Sequence, residues 1–89
     1  MKTEEYYIMT FASVHHAIKA ERQIKRAKLE GELIPTPRDI DISCGLSIKL
    51  PGHCLDKAKE LSDMPEEGVN IYKAVNNARG KTFYMHITQ

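Results

Sequence analysis

The chain has 89 residues, enough for one domain and too few for two. With 42% hydrophobic and 28% charged residues and a formal charge of +1, it generates no global field that would draw it to nucleic acid or to a membrane. No apolar run approaches the roughly 18 residues of a membrane span, and the polar, acidic start followed by a short apolar stretch lacks the pattern of a secretory signal. The expectation is a soluble, cytoplasmic protein with reduced thiols. Its two cysteines, with nine residues between them, match no common zinc or redox spacing.

Residues 6–11 are rich in aromatic and β-favouring types and read as a first strand. Ser13 is a helix N-cap candidate, and the stretch to about residue 30 reads as a helix. Val14, Ala17, Ile18, Ile24 and Ala27 recur at the spacing of a buried face. His15, Lys19, Arg22 and Arg26 fall on the wet side, where the basic stripe reads as solvated. Gly31 is the expected helix stop.

A second strand starts at Glu32 and ends at Pro35 and Pro37, which cannot donate to a ladder. Residues 35–43 form a polar loop, and residues 44–50 a third strand broken by Pro51 and Gly52. A short second helix puts Leu55, Ala58, Leu61 and Met64 inward, with Pro65 and Gly68 closing it. Residues 69–75 form a fourth strand. Residues 82–88 alternate, with Phe83, Met85 and Ile87 on one side, and read as an extra strand beside the fourth. An intermolecular strand is the less favoured reading of that segment.

The expected fold class is therefore α+β: a ferredoxin-like βαββαβ sandwich, with two helices on one face of an antiparallel sheet and an extra C-terminal edge strand. In that topology the loop between the second and third strands and the start of the first helix share one pole. The loop carries Thr36, Arg38 and, at its end, Cys44 and Gly45; the helix start carries Ser13, His15 and His16. A helix N-terminus carries roughly half a positive charge, and Arg38 and a protonated histidine would add to it. A thiolate placed there is stabilised and its pKa lowered, the condition for a reactive cysteine. Gly45 leaves room for a donor sulfur to approach.

The competing readings come from the same residues. A lone cysteine at a strand start is more often a packing residue, and His15 is more simply a solvated helix residue. The adjacent histidines point about 100° apart, which disfavours a metal shared with Cys44. Cys54, about 20 Å along the chain from Cys44, reads as a small apolar residue near a helix start, not as a disulfide partner.

The segments Pro35-Thr36-Pro37-Arg38 and Ser43-Cys44-Gly45, with Ser13-Val14-His15-His16-Ala17 and Ala20-Glu21 before them, resemble the selenium/sulfur (Se/S) carrier protein-like family over about residues 6–75. The chain is then one domain, with that core and an extension over residues 76–89 on which the resemblance is silent. The resemblance implies that Cys44 carries sulfur or selenium as a persulfide or perselenide and relays it between proteins, with Arg38 and His16 as helpers. It further implies a carrier more than a stand-alone enzyme, no resident cofactor, a cysteine desulfurase or selenocysteine lyase-like donor, and an acceptor protein. Asp41 and Ile42 stand where the family tends to have small polar residues.

The alternative function is a regulatory or adaptor domain acting through small ligands or a homodimer. Base stacking on Tyr6, Tyr7 and Tyr84 is the least favoured use, because no paired aromatic motif of the RNA-recognition kind appears.

Overall fold

The computed structural model describes residues 4–40, 45–60, 68–77 and 79–87. Among them run β1 (Glu4–Thr10), α1 (Val14–Arg26), β2 (Glu32–Pro35), β3 (Leu46–Pro51), a 3-10 turn (Gly52–Cys54) leading into α2 (Leu55–Lys59), β4 (Asn70–Asn76) and β5 (Thr82–Ile87). The chain is α+β, with five strands in one antiparallel sheet in the order β2-β3-β1-β4-β5.

Strand register sorts the side chains into two faces. On the helix-covered face Leu33, Ile48, Met9, Ile71 and Ile87 form one row across all five strands, and Leu50, Tyr7, Lys73 and Met85 form the next. Ala17, Ala20 and Ile24 of α1 and Cys54, Leu55 and Ala58 pack on these rows in one core cluster. Full burial of Ile24, Ile48, Leu50 and Ile71 contributes about 1.5–3 kcal/mol each. Tyr7 belongs to this layer, so it is not available as a base-stacking ring beside Tyr6. No helix among the described residues is long and apolar enough to cross a membrane.

Helix α1 departs from the expected outline. Val14 and Ala27 are exposed and Ala20 takes the inward position, because the buried stripe runs Ala17, Ala20, Ile24. The helix ends at Arg26, not near residue 30. Lys28 adopts the left-handed conformation at φ 59°. Its N–H bonds the Lys25 carbonyl, and the Leu29 N–H bonds that of Ile24. This is a Schellman closure with lysine where glycine is usual. Gly31 is needed for space instead, since a Cβ there would lie 2.6 Å from Ile24 Cγ2 and 3.1 Å from Leu50 Cδ2. Its bare backbone lets the entry to β2 lie against the core. Of the second helix's expected inner face, Leu55 and Ala58 are buried, while Leu61 and Met64 lie outside the described residues.

The two positions should respond oppositely to substitution. Lys28→Gly is expected to stabilise by about 0.5–1 kcal/mol, since the left-handed penalty exceeds the added chain entropy. Gly31→Ala is expected to destabilise by about 1–3 kcal/mol through overpacking. Urea denaturation of both variants checks the signs.

Candidate functional site

Thr10, Pro35, Leu46 and Asn70 stand at one end of the sheet, because β1 and β2 end where β3 and β4 begin. The turn into α1 and the loop between β2 and β3 therefore leave from the same pole. At the helix start Ser13 is the N-cap, its hydroxyl accepting from the His16 N–H at 3.3 Å. The first turn of α1 itself contains no acidic side chain. His15 and His16 are both exposed.

The loop is tied at its base. The Thr36 N–H donates to the Gly45 carbonyl at 3.1 Å, next to the Pro35–Leu46 rung. The Thr36 and Ser47 hydroxyls are hydrogen-bonded at 2.6 Å, and Ser47 is fully buried. Within the loop the Ile40 N–H reaches the Pro37 carbonyl at 3.1 Å, turning the chain with Arg38 and Asp39 exposed at the corner. Gly45 is exposed, with nothing within 4 Å of where a Cβ would stand. Cys44, together with Asp41, Ile42 and Ser43, lies outside the described residues. The structure therefore places the α1 start, with Ser13, His15 and His16, and the base of the loop, with Thr36 and Gly45, at one end of the sheet, while Arg38 stands in the exposed turn of residues 37–40. The expected sulfur position falls outside what is described. Cys54 forms no disulfide and is buried in the core cluster, as a small apolar residue would be.

The loop also acts electrostatically on a surface that sequence reading did not connect to it. On the helix-free face Lys49, Ile8, Tyr72 and His86 form one row, and Pro51, Tyr6, Ala74 and Tyr84 the next. Lys49 Nζ sits 4.5 Å from the Tyr6 ring centroid. The Tyr72 and His86 rings lie 5.1 Å apart, and His86 Nε2 is 3.1 Å from Asn70 Oδ1. Ala74 is the small residue between two tyrosines, Tyr6 and Tyr84. Partial burial raises the Tyr84 phenol above its ordinary 10.0, and Tyr6 and the Asp39 carboxylate push it the same way. Asp39 acts on Tyr84 from the loop through its charge. Alternation around Ser47 could have indicated its orientation; nothing in the sequence couples Asp39 to Tyr84, more than forty residues away.

Two outcomes follow. Ser47→Ala should cost about 1–2 kcal/mol, because the Thr36 hydroxyl loses its partner in a part-buried site; denaturant melts measure it. The raised Tyr84 value means the fold favours the neutral phenol. That contribution is fully present below pH 10.0 and is lost as pH rises through the higher folded value. Ultraviolet titration of tyrosinate should show a late-titrating phenol absent from Tyr84→Phe, and that variant should lose less stability at alkaline pH.

No curated protein and no solved structure matches the chain. The family model described as "Putative Se/S carrier protein-like" matches residues 6–75, a span that takes in the tied loop, the α1 start and both helices, and leaves β5 outside. With most of its length matched, the chain belongs to the Se/S carrier protein-like family.

Proposed function

We propose that this protein holds sulfur or selenium covalently on Cys44 and passes it from a donor protein to an acceptor. The observation that carries the reading is the family match across residues 6–75, within which Cys44 lies. The fold core is read as a ferredoxin-like βαββαβ unit with β5 added, on the order β2-β3-β1-β4 of its first four strands.

The transfer conserves electrons. The Cys44 thiolate attacks the outer sulfur of a donor persulfide, a new S–S bond forms as the donor's S–S bond breaks, and the donor leaves as a thiolate. A nucleophile on the acceptor then takes the same outer atom, and Cys44 is regenerated. Selenium follows the same scheme. The step needs a reachable, partly ionised thiol and no deep pocket. Three local features support it. Gly45 beside the thiol-bearing residue is exposed and uncrowded. The start of α1, with no acidic side chain in its own first turn, stands at the same end of the sheet. Cys54, the other cysteine, is buried and unsuited to exchange with another protein. Arg38, His16 and Thr36 are assigned to loop charge, thiolate stabilisation and loop anchoring; the donor is a cysteine desulfurase or selenocysteine lyase-like enzyme.

The test is intact-mass spectrometry without reductant, after incubation with a cysteine desulfurase and cysteine or a selenocysteine lyase and selenocysteine. The parent should gain about 32 or about 80 mass units, one chalcogen atom, and Cys44→Ser should gain nothing. Equal loading of Cys44→Ser, or alkylation of Cys44 no faster than that of Cys54, would sink the proposal.

A further inference from the structure

The sheet has two edges, and they are built differently. β2 is four residues long, begins at Glu32 and ends at Pro35, so charge, proline and brevity blunt it. β5 is six residues long, pairs with β4 in unbroken register from Asn76–Thr82 to Ile71–Ile87, and contains no proline, Asp, Glu, Lys or Arg. An edge of this composition lacks the devices that stop a further strand from adding.

On the helix-covered face the exposed side chains of the edge are apolar, with Lys81 Nζ 5.2 Å from the Phe83 ring centroid, while His86 is exposed on the other face. Phe83 and Met85 are 49% and 59% exposed and point to the helix-covered face, beyond the cover of the helices. On the other face His86 is paired with Asn70 and Tyr72, and Tyr84 is half-buried, separated from Tyr6 by Ala74.

We infer that β5 pairs antiparallel with β5 of a second copy of this chain, joining two five-stranded sheets into one of ten strands. A two-fold axis perpendicular to the sheet keeps each face continuous, and residues directly opposite then lie on the same face. With the axis through Tyr84, Phe83 of each copy stands opposite Met85 of the other. With it through Met85, Phe83 stands opposite Ile87. Either register closes an apolar stripe on itself at cross-strand Cβ separations of about 4.5–5.5 Å and puts no like charges opposite one another. A copy of this strand is therefore matched in hydrogen-bonding edge, apolar face and charge. A six-residue strand is about 20 Å long, which places the interface at the small end, below about 1,200 Å² in total. The dimer is reversible, not obligate.

Sedimentation velocity over a wide concentration range, with reductant present to remove any disulfide-linked species, tests the pairing. The parent and Cys44→Ser should both show a monomer–dimer equilibrium, which separates this inference from the carrier proposal. Met85→Lys and Phe83→Lys should weaken dimerisation at least ten-fold. Val14→Lys, at the remaining exposed large apolar residue among those described, should leave it unchanged. Hydrogen exchange on the parent protein gives a reading independent of variant folding: amides of residues 82–87 should gain protection as concentration rises. A parent that stays monomeric throughout, or a dimer indifferent to both lysine variants with no concentration-dependent protection in β5, overturns the pairing.

Discussion

The position of β1 governs everything else in the molecule. It is the central strand, hydrogen-bonded on both sides, and its successive residues Ile8 and Met9 are both buried although they face opposite ways. A strand enclosed on both faces can neither slip by one residue nor exchange its faces without burying polar groups or exposing apolar ones. Its register therefore fixes β3 and β4, and through them β2 and β5. The delivery of α1 and of the loop to one pole is a consequence of where β1 ends.

The two faces solve burial differently. The helix-covered face is aliphatic and closed by Ala17, Ala20 and Ile24, whose spacing and small size let α1 lie close to β2 and β3. Among the described residues no helix covers the other face, yet Ile8, Thr10, Ser47 and Ala74 are buried there. Rings flanking them cover much of the apolar surface while keeping polar tips outward: Tyr6 beside Ala74, Tyr72 beside Ile8. The Thr36–Ser47 bond ties the base of the loop to a residue buried on that face.

Much of this architecture was legible in residue order. The strand segments, the Ser13 cap, the buried role of Cys54 and the added C-terminal strand follow from alternation, capping chemistry and residue type, and the motif residues identify the family. Where the reading failed, a long-range contact or a local exception had overridden a local rule. Gly31 looked like a helix stop because glycine tolerates positive φ, but Ile24 and Leu50 need its missing Cβ, and Lys28 takes the left-handed turn instead. Val14 fits the apolar period by position, yet at the very start of the helix it has no sheet beneath it and remains exposed. The tyrosines could be assigned to faces only once β1 had a register, which separates Tyr7 from Tyr6.

The bond from the Thr36 N–H to the Gly45 carbonyl closes the loop at its base. Chain inserted inside a ring already tied at its neck adds closure entropy only logarithmically, about 0.6 kcal/mol for each doubling of length. The sheet beneath would register almost nothing. Such an arrangement lets the loop between Thr36 and Gly45 change in length or polarity while the folding information in the strands stays intact, a modular division between what specifies shape and what selection can rewrite.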